Sequence, residues 1–155
     1  MKKIRTTLCV VYKHPKILLG MKKKGFGKGK WNGFGGKIEP NESIESAARR
    51  EMREEAGVEV KEMRKLGILN FEFQHNTDSI EMHIFRVDDF VGEPSESGEM
   101  KPKWFHVEKI PFKNMWSDDE LWFPLFLRGA KFRGNFLFDK KYKIIEQELS
   151  KVRKV

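Results

Sequence analysis

The strongest constraint in this sequence is a helical pattern whose inward stripe turns acidic halfway along. Residues 43–56 carry the clearest helical signal of the chain; Asn41 or Ser43 can cap its start, and Gly57 can end it in the left-handed conformation. Positions three and four apart share a helix face, so Ile44, Ala47 and Ala48 form an apolar stripe. On the same side follow Glu51, Glu54 and Glu55, while Arg49 and Arg53 point away. A solvated acidic patch balanced by arginines accounts for these charges but not for their place in the stripe. A divalent cation accounts for both, because Mg²⁺ takes carboxylate oxygens, keeps several waters and shares phosphate oxygens with a substrate. Arg50, four residues before Glu54, stands where it can orient a carboxylate through a charge-assisted bond.

The remaining pattern is that of one α/β (α+β) domain spanning 1–155, with no repeat, low-complexity tract or linker to divide it. Thr6 to Tyr12 and Lys16 to Met21 read as strands joined at His14-Pro15, followed by the glycine-rich loop Gly25 to Lys30 and the short segment Trp31 to Gly36. Leu66 to Gln74, Ile80 to Val87, Trp104 to Val107 and Phe132 to Phe138 read as further strands, and Asp88 to Lys101 as a polar loop. Asp118 to Arg128 reads as a second helix opened by acidic residues, while Tyr142 to Val152 is ambiguous, its propensity leaning helical and Ile144-Ile145 suiting a strand. Phe71 and Phe73 read as strand residues of which one faces core and the other a cleft. No apolar run is long enough to span a bilayer and no signal core follows Met1, while the lone Cys9 reads as a small buried core residue. A cytoplasmic monomer is therefore expected. Residues 1–38 hold eleven Lys and Arg before the first acid, Glu39, a basic field suited to a polyanion that nucleic acid, a membrane surface or nucleotide phosphates would all satisfy.

From Gly36 the order is five residues, Glu42, seven residues, Arg50-Glu51, two residues, Glu54-Glu55, one residue, Gly57 and an apolar Val58. This spacing resembles the Nudix box at every position. The resemblance implies a Nudix fold, an α/β/α sandwich with a mixed sheet and a loop–helix–loop, and an Mg²⁺- or Mn²⁺-dependent hydrolase of a nucleoside diphosphate linked to another group. It implies Glu51, Glu54 and Glu55 as metal ligands, with Gly36 offering a carbonyl and Glu99 a further carboxylate, and Glu42 and Arg50 supporting the loop–helix–loop. Glu51, Glu54, Glu55 and Arg50 are thus the expected catalytic set.

The segments Trp31 to Lys37, Met21 to Gly27, Glu99-Met100 and Pro111 to Asp119 resemble the branch of that family that hydrolyses oxidised purine nucleoside triphosphates in animals, similar in reaction to the MutT-type pyrophosphatases. By that resemblance Asn32, Asp118 and Asp119 hydrogen-bond the base and Trp116 stacks on it. Thr7, Phe26, Phe71, Ile80, Met100 and Trp122 line the pocket, and Lys22 lies near its sugar or phosphate end. Two adjacent carboxyls in an apolar pocket share a proton, so that one donates while the other accepts. By spacing alone Asp118-Asp119 is equally natural as a helix N-terminal pair. Ser117 and Ile80 depart from the animal branch, which has proline and methionine there. The expected substrate is an oxidised purine nucleoside triphosphate such as 8-oxo-dGTP or 2-hydroxy-dATP, with no stable nucleic-acid partner and no membrane. A Nudix pyrophosphatase of ordinary nucleotides is the second reading, and a non-catalytic nucleotide- or RNA-binding module the third.

Overall fold

Alternating β-branched and aromatic residues dictate most of the architecture, which a computed structural model describes for residues 2–155. Eight strands form one mixed sheet: β1 (Lys3–Lys13), β2 (Lys16–Lys22), β3 (Trp31–Asn32), β4 (Glu59–Phe73), β5 (Asn76–Val91), β6 (Met100–His106), β7 (Lys131–Phe138) and β8 (Ile144–Val152). The order is β3-β2-β1-β5-β4-β7-β8, with β6 also paired to β2. β1 runs parallel to β5 and β4 parallel to β7, and the remaining pairs are antiparallel. This is the mixed α+β sheet expected.

The two helices, α1 (Ile44–Ala56) and α2 (Asp119–Leu127), cover separate cores. Cys9, Val11, Phe34 and Phe85 pack with Ala48, Met52 and Ala56 of α1. Leu8, Val10, Phe71 and Phe132 pack with Trp122, Phe123 and Phe126 of α2. Each fully buried aliphatic or aromatic side chain contributes roughly 1.5–3 kcal/mol, so these two layers fix the sheet between the helices. Among the described residues no helix is long and apolar enough to cross a membrane.

The differences from the sequence reading have local causes. β4 and β5 are longer than expected because Glu59 to Lys65 of β4 pair with Phe85 to Val91 of β5 across β-bulges, despite the polar composition of much of this stretch. Only 92–99 remains as the loop. Met100 begins β6, and Val107 already lies in a 3₁₀ turn. The segment after Tyr142 is a strand, because β8 completes its hydrogen bonds on the free edge of β7. Ser43, not Asn41, caps α1, accepting from the Ser46 amide at 3.1 Å, and Gly57 ends the helix at φ 72°.

Candidate active site

The chain before α1 is stitched to β1. Thr7 N donates to the Gly36 carbonyl at 2.9 Å, Phe34 N to Cys9 O at 2.8 Å, and Ile38 N to Arg5 O at 3.0 Å. Gly35 lies so close to β1 that any Cβ there would collide with the Thr7 carbonyl, and a Cβ on Gly36 would press on the Glu51 carboxyl at 3.0 Å. These approaches fix the N-terminal end of α1, and hence its carboxylates, against the middle of the sheet.

Arg50 organises the acidic turns. Its Nε donates to Glu42 Oε2 at 2.7 Å and its Nη2 to Glu42 Oε1 at 2.9 Å, a bidentate pair, while Nη2 also reaches the Lys37 carbonyl at 3.1 Å. Nη1 donates to Glu51 Oε1 at 2.6 Å and to Glu54 Oε1 at 3.0 Å. The guanidinium beside it holds the Glu42 carboxyl down to about 2. Burial instead pushes the Glu51 carboxyl up, against the pull of Arg50.

The buried stripe of α1 runs Ala47, Ala48, Met52, Glu55 and Ala56. Glu51 flanks it, whereas the side chain of Glu54 is 52% exposed and off the inward face where the sequence reading placed it. Arg49, expected to point away, turns back to donate to the Val60 carbonyl at 2.8 Å. Glu55 is the buried one: its Oε1 accepts from the Gly35 amide at 2.9 Å, and desolvation, reinforced by Glu51 and Glu99, raises its carboxyl to about 7. Glu99 lies opposite, pairing with Lys22 at 2.9 Å and Lys24 at 3.6 Å. Among the described residues no three acidic, histidine or cysteine side chains close on a point as a finished metal cage. Glu51 and Glu54 share Arg50, Glu55 holds Gly35, Glu99 holds the lysines, and the Gly36 carbonyl serves β1. The donor set is nonetheless all hard oxygen on one helix flank, the type a divalent cation takes, and the small Gly36 leaves room beside Glu51.

A cleft of about 240 Å³ opens next to this flank. Glu55, Gly36 and Lys22 are among its lining residues, as are Asn32, Asp118 and Asp119. Thr7, Phe26, Phe71, Ile80, Met100 and Trp116 line it as the sequence reading expected. Trp116 stacks on Phe26 with ring centroids 5.0 Å apart and carries Lys30 Nζ 5.0 Å above its ring. Trp122 does not line the cleft. It is fully buried behind it, 0% exposed, because its large ring completes the core with Phe123 and Phe132.

Trp122 acts on the cleft through Asp118 instead. Its Nε1 donates to Asp118 Oδ2 at 2.9 Å, one helical turn away. The Asp118 side chain makes no capping bond to α2, so the pair is not spent on the helix N-terminus. Both carboxyls are buried, and Asp119 Oδ2 has no protein partner. Desolvation raises Asp118, opposed by the indole donor. Asp119 is raised further, by desolvation and then by the charge of Asp118. Burial and the mutual repulsion of the two carboxyls therefore both disfavour full ionisation of the pair.

Sequence reasoning missed Lys30, Met82, Phe138 and Tyr142, all of which line the cleft, and its expectation that one of Phe71 and Phe73 faces core and the other a cleft is overturned, since both line it. Phe73 and Phe71 face the same side, as do Ile80 and Met82, because residues two apart on a strand share a face; that periodicity was the available signal. Nothing local in the sequence marks Tyr142.

Comparison with known proteins follows the same lines. A model of the NUDIX domain matches residues 2–126. The chain is 52% identical over 146 residues, 94% of its length and 94% of the relative's, to the oxidized purine nucleoside triphosphate hydrolase of Danio rerio. It is 46% identical over the same shares to the protein of that name from Mus musculus. Among solved structures it is similar to the MutT protein from Bacillus halodurans, with a TM-score of 0.85 and 27% identity over 95% of this chain and 97% of that one.

Proposed function

Since this chain belongs to the NUDIX family, we propose that it hydrolyses oxidised purine nucleoside triphosphates, such as 8-oxo-dGTP and 2-hydroxy-dATP, to the monophosphate and pyrophosphate. One observation carries the substrate class. A cleft lined by Trp116, Phe26 and Phe71 also holds two adjacent buried carboxyls, Asp118 and Asp119, together with Glu55 of α1. Stacking on an aromatic wall gives roughly 1–3 kcal/mol per base without selecting among purines. Selection falls to Asp118 and Asp119, with Asn32: oxidation exchanges donors and acceptors on the purine edge, and a protonated acid beside an ionised one matches an edge that offers both. Asn32 Oδ1 accepts from the Gly33 amide at 2.8 Å, which leaves its amide donors free for the ligand.

NUDIX hydrolases work with divalent ions, and we assign Mg²⁺, or Mn²⁺ in its place, to Glu51, Glu54 and Glu55, with Gly36 and Glu99 as further oxygen donors. When bound, such an ion neutralises the polyphosphate and lowers the pKa of a water. The chain's own residues do the rest. Lys22 brings a cation to the polyphosphate end beside Glu55, and Arg50 holds Glu51 and Glu54 in register through their shared guanidinium. The Gly35 amide keeps the Glu55 carboxyl aimed from α1 into the cleft. Water adds to phosphorus, the α–β anhydride bond breaks, and pyrophosphate leaves. We take residues 1–155 as one catalytic domain, acting as a cytoplasmic monomer on free nucleotides and without a stable nucleic-acid partner. Chromatography of the products tests the reaction type: 8-oxo-dGMP with pyrophosphate is expected, and 8-oxo-dGDP with orthophosphate contradicts it.

A further inference from the structure

Two non-glycine residues among those described have a left-handed backbone, and one of them, Tyr142 at φ 60°, lies on the cleft. A bulky aromatic residue is disfavoured in that region, where glycine is at ease, and such a conformation persists when its surroundings over-determine it. Here the surroundings are a built turn. Asp139 Oδ1 accepts from the amides of Lys141 at 2.8 Å and Lys143 at 3.0 Å, and the Tyr142 amide donates back to Asp139 O at 3.0 Å. The Ser117 hydroxyl donates to the Tyr142 carbonyl at 3.4 Å, tying the turn to the segment that carries Trp116 and Asp118.

The strained backbone turns the ring inward. Its centroid lies 5.4 Å from Phe26, 5.5 Å from Trp116 and 6.1 Å from Phe73, edge-on to each. These rings come from the glycine-rich loop, the turn before α2 and β4, so one side chain meets cleft-lining rings from three separate segments. A glycine would satisfy the turn and lack the ring, so the ring is what the tyrosine adds.

We propose that Tyr142 is a base-contacting residue of this cleft, its ring forming a further aromatic wall that supplies affinity for the purine and takes no part in turnover. This rests on the reading of the cleft as a purine subsite. The test uses the full chain with Tyr142→Phe, Tyr142→Ala and Tyr142→Gly, measuring binding of 8-oxo-dGMP by tryptophan fluorescence, steady-state hydrolysis of 8-oxo-dGTP and thermal unfolding. Loss of the ring should weaken monophosphate binding and raise KM about tenfold in both the Ala and Gly variants, with kcat within about twofold of wild type. Tyr142→Phe should bind like wild type. Tyr142→Gly should unfold at a higher temperature than Tyr142→Ala, because glycine relieves the backbone, while binding no better. Wild-type affinity in the Ala and Gly variants, with Trp116→Ala impaired, overturns the proposal alone. So does affinity that follows melting temperature, since the turn and not the ring would then matter. A wild-type chain that binds no 8-oxo-dGMP overturns the purine subsite and this proposal together.

Discussion

Trp122→Phe separates a pocket wall from a support behind it. The indole is fully buried, stacks on Phe123 at 4.5 Å, and donates its only N–H to Asp118 at 2.9 Å. Phenylalanine keeps a ring in the core and deletes the donor. Loss of a hydrogen bond to a charged, buried acceptor costs about 1.5–3 kcal/mol, and the smaller ring leaves a void worth about 1–2 kcal/mol more. The sum, about 2.5–5 kcal/mol, corresponds to a Tm lower by roughly 10 °C in a chain of this size. The void does not depend on Asp118, whereas the hydrogen bond does, so a double-mutant cycle with Asp118→Ala isolates the bond. Chemical denaturation of wild type, both single variants and the double variant should give a coupling of about 1.5 kcal/mol or more. The double variant should therefore be less destabilised than the two single changes added together. Coupling below about 0.5 kcal/mol refutes the assignment of Trp122 as the anchor of Asp118.

Two further substitutions probe the buried Asp pair and the carboxylate flank of α1. A buried acid whose native pKa is raised keeps its proton after the unfolded chain has lost its own, so its contribution to stability is full below the unfolded value near 3.9 and declines as pH rises toward the native value. Asp119→Asn should therefore flatten the fall in Tm from pH 4 upward, while lowering kcat/KM for 8-oxo-dGTP by at least about tenfold through the lost base reading; an unchanged pH slope contradicts a protonated Asp119. Arg50→Lys keeps the charge but loses the fork that joins Glu42, Glu51 and Glu54, so hydrolysis should fall about 10–100-fold. Wild-type turnover in that variant removes Arg50 from the positioning role.

What was legible in the sequence was whatever repeats with a helix or strand period. α1, its Ser43 cap and its Gly57 stop came from such patterns, as did most of the strands. Glu59 to Lys65 and the last strand were not, because their pairing partners, not their own polar composition, make them strands. Within the cleft, the family resemblance named Trp116, Asp118 and Asp119, which geometry then brings together with Lys30 and Tyr142. It also named Trp122, whose position in chain order lies beside the cleft but whose size places it in the core. Glu54 shows the limit of the helical wheel: at 100° per residue, the buried row Ala48–Met52–Glu55 and the flank Glu51–Glu54 differ by one step, and only packing decides which is buried. Tyr142 depends on a turn built by the Asp139 side chain, a tertiary fact with no periodic signature.

Steady-state hydrolysis of 8-oxo-dGTP, 2-hydroxy-dATP, dGTP and dATP with Mg²⁺, alongside Glu55→Gln, tests whether this chain selects an oxidised purine and cuts it with the carboxylates of α1. The glutamine side chain retains an oxygen to accept from the Gly35 amide, so the variant should fold while losing turnover. kcat/KM should be at least about tenfold higher for an oxidised nucleotide than for its normal counterpart, with turnover abolished in the variant. Equal turnover of all four nucleotides would contradict the base-reading role of Asp118 and Asp119, and full activity in Glu55→Gln would contradict the catalytic flank.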